Sequence, residues 1–184
     1  MPLRQARPDR SLPRCWLMTD ERMGERLWAA LDRLPDGAGI VFRHHATPLE
    51  ARRALFARIA ALRETRRFTL VRAGGIALSD REDGVHGGAP LPTGGIRTWP
   101  VHDRAEALAG KEAGADLLFV SPVFPTRSHP QTAALGSEKA AAIAGDMPLP
   151  FIALGGMTAA RFAAIEPLGF YGWAAIDAWL DAGA

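Results

Sequence analysis

Hydroxyl, cationic and glycine residues follow two short apolar runs of this chain. The run at 117–120 leads into a proline-punctuated loop that contains Thr126, Arg127, Ser128 and His129. The run at 150–154 ends in the pair Gly155 and Gly156. Hydroxyls and guanidinium groups donate hydrogen bonds to anions, and backbone amides without a neighbouring Cβ can approach a phosphate closely. The two segments therefore predict strand ends that bind an anion.

The histidines show a second pattern, because each lies at or just beyond the carboxyl end of a predicted strand. They are His44, His45, His86, His102 and His129. In a closed parallel barrel these strand ends form one rim, so the imidazoles are expected to converge on one pocket. An imidazole there can donate to an anion or transfer a proton near neutral pH.

These residues need a scaffold, and the hydrophobic pattern predicts one. Eight apolar strands alternate with helices, which favours a (β/α)8 TIM barrel over an open sheet. The predicted strands are 15–20, 40–45, 68–72, 83–86, 96–101, 117–120, 150–154 and 171–176. The barrel is expected to be trimmed, because the link at 73–82 has room for only a turn or two of helix and eight residues follow Ile176.

Length and composition bound the remaining possibilities. The chain has 184 residues, 48% of them hydrophobic, which suits one domain over 15–184 after a loosely ordered leader at 1–14. No apolar run is long enough to cross a bilayer, and the leader lacks the apolar core of a secretion signal, so a cytoplasmic location is expected. The one cysteine, Cys15, excludes an internal disulfide and fits a strand residue.

Charge and aromatic residues suggest possible partners. The net charge is +2, and the arginines between 52 and 67 lack interleaved aromatics, so they fit a solvated helix face better than a nucleic-acid groove. A truncated last helix would leave apolar barrel flank uncovered, which predicts a homodimer or other homo-oligomer. Trp173 and Trp179 either contact that partner or fill the barrel's own shell.

The two loop segments resemble the thiamine-phosphate synthase family, which includes the thiazole tautomerases. In that family a Gly-Ala-Asp strand ends in Gly-Pro-x-x-Pro-Thr-x-Thr-Lys, and a later apolar strand ends in Gly-Gly-Ile or Gly-Gly-Met. The matches here are Pro122 to Thr126 and Leu154 to Thr158, and the resemblance is strong from His102 to Ile176.

The resemblance implies a reaction in which hydroxymethylpyrimidine diphosphate and a thiazole phosphate give thiamine phosphate and diphosphate. The residue types and the resemblance together predict substrate contacts for these residues, with a purely structural role as the alternative for the glycines and for these two histidines: Arg43, Thr126, Arg127, Ser128, Gly155, Gly156, His86 and His102. Two lysines that help to hold the diphosphate in the family are His45 and His129 here. Neutral imidazoles at these places would weaken anion binding.

The resemblance also implies magnesium, held by two carboxylates, but the matching places here hold Ala73 and Leu91. Asp80 precedes the fourth strand and Asp83 opens it, so both are expected at the opposite end of the barrel. We identify no metal ligand in the sequence. The place that offers a serine to the thiazole phosphate in the family holds Asp177, whose charge would repel a phosphate.

Three functions stay open on this evidence. The first is the family reaction, thiamine-phosphate synthesis, with a degenerate metal site. The second is a metal-independent, tautomerase-like proton transfer on a thiazole carboxylate phosphate, with His129, His45 or His44 as the catalytic acid or base. The third is a barrel that binds or senses such ligands without catalysis.

Overall fold

Eight parallel strands close into a barrel in sequence order in a computed structural model that describes residues 11–127 and 131–180. The strands are β1 Cys15–Met18, β2 Ala38–Phe42, β3 Phe68–Ala73, β4 Gly84–His86, β5 Ile96–Val101, β6 Leu117–Val120, β7 Phe151–Leu154 and β8 Gly172–Ala175. β8 pairs with β1, with Trp173 beside Cys15. The predicted TIM barrel is confirmed, and its strands match the apolar runs of the sequence.

Five α-helices of the described residues cover the outside of the barrel. They are α1 Arg26–Arg33, α2 Leu49–Ala61, α3 Arg104–Glu112, α4 Ser137–Ala144 and α5 Ala159–Ile165. Asp103 and Thr158 directly precede α3 and α5, and each side chain accepts a hydrogen bond from a backbone amide of the first turn. Such N-caps satisfy amides that have no partner within the helix.

The barrel is trimmed on one side. Within the described residues, the connections 74–83 and 87–95 contain no helix, and β8 is followed by a single 3-10 turn at Asp177–Trp179. A buried ion pair lies in this region instead of a helix. Nε of Arg72 lies 2.6 Å from Oε2 of Glu82, and Arg72 also donates to the carbonyls of Gly74 and Pro90. This pair ties the two short connections to β3.

Large side chains fill the barrel interior. Trp16 and Phe119 are fully buried and meet edge to face, with ring centroids 5.3 Å apart. β2 passes beside the Trp16 ring through Gly39, where an added Cβ would lie 2.1 Å from a ring atom. Strands buried on both faces, as in parallel sheets, account for the continuous apolar runs.

The two C-terminal tryptophans are buried within the chain. Trp173 and Trp179 stack with ring centroids 4.9 Å apart, and the indole N–H of Trp179 donates to the carbonyl of Trp16. They therefore fill the barrel's own shell, the second of the two interpretations. None of the helices in the described part of the chain is long and apolar enough to cross a bilayer.

The predicted leader at 1–14 is only partly covered by the structure, since residues 1–10 are not described. Pro13 and Arg14 are described, and their carbonyls accept hydrogen bonds from Nε1 of Trp16 and the amide of Trp173. Cys15 is half-buried in β1, and burial raises the pKa of its thiol, as expected for a strand residue.

Candidate functional site

A cavity of about 430 Å³ opens at the carboxyl-terminal rim of the barrel. Its wall is formed by residues at or just after the carboxyl ends of several strands, as in barrel enzymes generally. Met18, Ala175 and Ile176 are among its apolar lining residues. Its polar lining residues in the described part of the chain are Arg43, His86, His102, Ser121, Thr126, Arg127, Thr132, Thr158, Arg161 and Asp177.

The turn after β7 forms one side of this cavity. Gly155 and Gly156 both have positive φ, +96° and +62°. An added Cβ would lie 2.8 Å from Cα of Pro122 at the first position and 2.5 Å from the Pro125 carbonyl at the second. Glycine is therefore required here for packing against the loop after β6, whatever ligand the turn contacts.

The loop after β6 brings Thr126 and Arg127 to the cavity. Nε of Arg127 lies 3.2 Å from Oδ2 of Asp177, which follows β8. Arg161 of α5 donates to the carbonyl of Gly156, and its guanidinium lies 5.0 Å from the ring centroid of Phe124. Ser128 and His129, which we predicted to contact or act on substrate, lie outside the described residues.

Arg43 is fixed at the rim by contacts to the loop after β1. Its Nε donates to the carbonyl of Thr19, and its Nη2 lies 3.1 Å from Oδ2 of Asp20. Asp20 also accepts from the backbone amide of Arg22, so it caps the 3-10 turn that follows β1. Arg43 thus lines the cavity in a defined orientation.

Two of the predicted binding histidines line the cavity. His86, at the end of β4, has Nδ1 2.8 Å from Oγ1 of Thr98 and packs edge-on against Phe119. Burial lowers the pKa of His86 to about 3, with smaller contributions from neighbouring basic groups, so it is neutral at pH 7. His102, after β5, is exposed, and its Nδ1 lies 2.8 Å from Oε2 of Glu106.

The two histidines after β2 do not line the cavity. His44 is buried, stacks on Phe42 and has Nδ1 3.0 Å from Oγ1 of Thr19. His45 is exposed and lies beside Gly74 on the β3 side of the rim. Desolvation lowers the pKa of both imidazoles, only in part for the exposed His45, whose pKa the Arg52 guanidinium lowers further. Neither histidine therefore supplies at neutral pH the charge of a lysine.

One residue at the rim was missed by the sequence analysis. The arginines from 52 onward were interpreted as a solvated helix face, which is wrong for Arg52: it is only 7% exposed. Its Nη2 donates to the Ala73 carbonyl over 2.6 Å. The signal was present, because Arg52 shares the i, i+4, i+7 spacing of the buried Phe56 and Ile59.

The residues present do not fit a magnesium site. Among the described residues, no three His, Cys, Asp or Glu side chains lie close enough to hold a metal ion. The carbonyl of Ala73 is bonded to Arg52, and Leu91 lies half-buried in the β4–β5 connection. Asp83 precedes β4 at the amino-terminal end, where it accepts from Arg63 and the Leu70 amide. Magnesium requires oxygen ligands in octahedral geometry, usually including carboxylates.

The fold and the rim define a TIM barrel with a partly arginine-lined cavity at its carboxyl-terminal face. The model of the thiamine monophosphate synthase family matches residues 40–179. The chain belongs to this family.

Individual relatives agree with this assignment. The chain is 36% identical over 117 residues to a thiamine-phosphate synthase of Desulfitobacterium hafniense, covering 58% of this chain and 56% of that protein. It is 30% identical over 175 residues to a bifunctional thiamine biosynthesis protein of Geobacter sulfurreducens, covering 88% of this chain and 35% of that protein. The match therefore spans about half the length of the first relative and about a third of the second.

A solved structure supports the fold. The thiamine phosphate pyrophosphorylase of Pyrococcus furiosus superposes with a TM-score of 0.76, covering 94% of this chain and 89% of that one. The sequence identity is 22%, so this similarity establishes that the two proteins share the barrel fold. The chemistry has to be argued from the residues of the site.

Proposed function

We propose that this chain acts in thiamine biosynthesis by binding a phosphorylated thiazole in the rim cavity, and that its magnesium-dependent formation of thiamine phosphate is slow or absent. The observation that carries the proposal is the charge of the cavity wall. The described lining residues include one carboxylate, Asp177, and three arginines: Arg43, Arg127 and Arg161. Such a wall suits a phosphate ester more than a metal ion.

The phosphate is proposed to lie at the turn after β7. Arg161 is bonded to the carbonyl of Gly156, and Arg127 lies on the loop that packs against the same turn. Guanidinium groups bind phosphate in a bidentate manner, and the glycine backbone permits close approach. The thiazole ring would then extend towards the apolar wall at Met18 and Ile176.

The synthase reaction places different demands on the site. Departure of diphosphate from the pyrimidine concentrates negative charge on its oxygens, and family members meet this charge with magnesium. The described rim offers no carboxylate set for that ion. Family membership supports the pyrimidine diphosphate and the thiazole phosphate as ligands, whereas the site argues for weak synthase catalysis. We also propose that the protein forms a homodimer and acts in the cytoplasm.

A metal-independent proton transfer on a thiazole carboxylate phosphate is the second candidate, and one pair of residues favours it. His102 lines the cavity, and its Nδ1 lies 2.8 Å from Oε2 of Glu106. A carboxylate at Nδ1 orients the ring and leaves Nε2 to exchange a proton with a ligand. His102 fits this role better than His44 or His45, which do not line the cavity.

The test combines a binding and a turnover measurement. Calorimetry with thiazole phosphate and EDTA should show binding, and Arg161→Gln should weaken it about tenfold, the loss of one charge-assisted hydrogen bond. Arg104→Gln is the matched control, because Arg104 pairs with Asp146 outside the lining. Both substrates with magnesium should turn over far more slowly than about 1 per second.

Each outcome has a consequence. Turnover near about 1 per second, within the ordinary enzyme range, would overturn the proposed weakness of synthase catalysis. Absence of thiazole phosphate binding would overturn the proposed ligand. Proton transfer that is lost in His102→Ala would establish the second candidate, and binding without either reaction would identify a ligand-binding barrel.

A further inference from the structure

One buried threonine joins the loop after β1 to the arginine that follows β2. The hydroxyl of Thr19 accepts a hydrogen bond from the backbone amide of Arg43 over 3.0 Å. The carbonyl of Thr19 accepts a second one from Nε of Arg43 over 2.9 Å. Thr19 therefore holds both the backbone and the guanidinium of a residue that lines the rim cavity.

The proton of the Thr19 hydroxyl identifies the next member of this chain of contacts. Thr19 is fully buried, so solvent water does not accept that proton. Among the described residues, two groups lie within hydrogen-bonding distance of Oγ1: the Arg43 amide, which can only donate, and Nδ1 of His44 at 3.0 Å. A buried hydroxyl proton without an acceptor is costly. Nδ1 of His44 must therefore accept, which leaves the imidazole proton on Nε2.

The surroundings of His44 favour this neutral form. The side chain is 5% exposed, and its ring stacks on Phe42 with centroids 4.7 Å apart. Burial lowers the pKa of His44, and the carboxylates of Glu21 and Asp20 raise it by less, so the ring is neutral at pH 7. A neutral ring in a fixed orientation is what Nδ1 needs in order to accept from the Thr19 hydroxyl.

We propose that His44 and Thr19 are positioning residues for Arg43 and thereby set how tightly an anionic ligand binds in the rim cavity. His44 orients the Thr19 hydroxyl, and that hydroxyl holds Arg43 in place. The part that concerns ligand binding rests on the proposed function, whereas the hydrogen-bond chain does not. His44 thus acts as a buried acceptor, and the catalytic acid or base role predicted from the sequence does not apply to it.

Two substitutions of His44 separate its acceptor from its packing. His44→Phe keeps an aromatic ring beside Phe42 but removes the acceptor. His44→Asn removes the ring but supplies an amide oxygen near the place of Nδ1. We expect ligand binding to weaken about fivefold in His44→Phe, the loss of one neutral hydrogen bond, and to stay close to wild type in His44→Asn. The opposite order would show that ring packing matters instead and would overturn the proposal.

Calorimetry with thiazole phosphate and with hydroxymethylpyrimidine diphosphate, each in EDTA, measures this binding. Arg43→Gln shows which ligand meets Arg43, and His44→Phe should weaken that same ligand by no more than Arg43→Gln does. When Arg43 is already replaced, His44→Phe should have no further effect, because it acts through Arg43. A further loss in the double variant, or no effect of Arg43→Gln on either ligand, would refute the positioning role.

Threonine variants test the same chain if the His44 variants do not fold. Thr19→Val removes the hydroxyl and should bind about fivefold more weakly, whereas Thr19→Ser keeps the hydroxyl and should bind normally. Thr65→Val is the matched control, because the Thr65 hydroxyl is exposed and donates to the Leu62 carbonyl outside the cavity lining. Equal binding by Thr19→Val and Thr19→Ser would contradict the proposal.

NMR spectroscopy tests the hydrogen-bond chain independently of any ligand. In the wild-type protein, the ring nitrogen shifts of His44 should show the neutral tautomer with its proton on Nε2. The Nε–H of Arg43 should give a sharp signal that exchanges slowly with solvent, and this signal should broaden in His44→Phe. If neither ligand binds the wild-type protein, the proposed function fails and these signals alone decide the positioning role. A proton on Nδ1, or an Arg43 signal that His44→Phe leaves unchanged, would overturn it.

Discussion

Under the proposed function, Asp177 weakens phosphate binding in the rim cavity, and replacing it should strengthen that binding. Its carboxylate lies 3.2 Å from Nε of Arg127, so a ligand phosphate must compete for the same guanidinium. It also repels the phosphate directly. Two like charges about 5 Å apart repel by about 1 kcal/mol at the permittivity of water and about 3 kcal/mol near a protein surface.

The lower part of this range applies, because the Arg127 side chain is 71% exposed and the Asp177 side chain 29%. We therefore expect Asp177→Ser to tighten thiazole phosphate binding about tenfold, the equivalent of about 1.4 kcal/mol. Calorimetry at two salt concentrations measures this change, and the gain should shrink at high salt because exposed charges are screened.

Asp146→Ser is the matched control, since Asp146 pairs with Arg104 away from the cavity. Unchanged or weaker binding by Asp177→Ser, with normal thermal unfolding, would refute the assignment of the phosphate to this side of the cavity. A gain that both variants share would show a general charge effect instead.

Three further measurements test the barrel itself. The pKa of His86 is about 3 in the folded protein, against 6.5 for an unperturbed imidazole. As the pH falls below 6.5, the unfolded chain therefore binds a proton that the folded chain does not. The free energy of unfolding should drop by about 2 kcal/mol between pH 7 and pH 5. Denaturant unfolding should show this slope reduced in His86→Gln, and an equal slope would contradict the burial argument. Glu82→Ala leaves Arg72 buried and unpaired, so it should lower the free energy of unfolding by about 3 to 5 kcal/mol, whereas Glu50→Ala on the exposed surface should lower it by less than about 0.5 kcal/mol; similar values for the two would show that the buried pair does not brace the barrel. Sedimentation equilibrium should give a homodimer at tens of micromolar, roughly where a standard-sized interface persists, and a monomer would count against uncovered flank as a cause of association.

The strands were predictable because their signal is local. Parallel strands buried on both faces appear as short apolar runs, so β2, β6 and β7 stand out in the sequence. The loops that follow them could be assigned to one rim because parallel strands end on the same side. The packing requirement at Gly156 could not be predicted, because it depends on the Pro125 carbonyl of another loop.

The site was predicted less well, since side-chain direction and pairing are tertiary properties. All four described histidines follow strands as expected, yet His44 turns onto Phe42 and Thr19 rather than lining the cavity. Arg52 was misassigned because its charge was given more weight than its helical spacing. Only the fold shows that this guanidinium lies at the carboxyl end of β3, where its Nη2 donates to the Ala73 carbonyl and its Nε has no hydrogen-bond partner among the described residues.

The outer layer of the barrel is uneven, because α-helices cover most of the strands but no helix covers the region around β4. Around β4 the outer layer consists of two short connections braced by Arg72 and Glu82, without the cooperative hydrogen bonds of a helix. Local opening is easiest where few backbone amides are protected by regular structure. Hydrogen exchange should therefore be fastest in the two connections beside β4, so this side of the barrel should open locally before the side that is covered by helices.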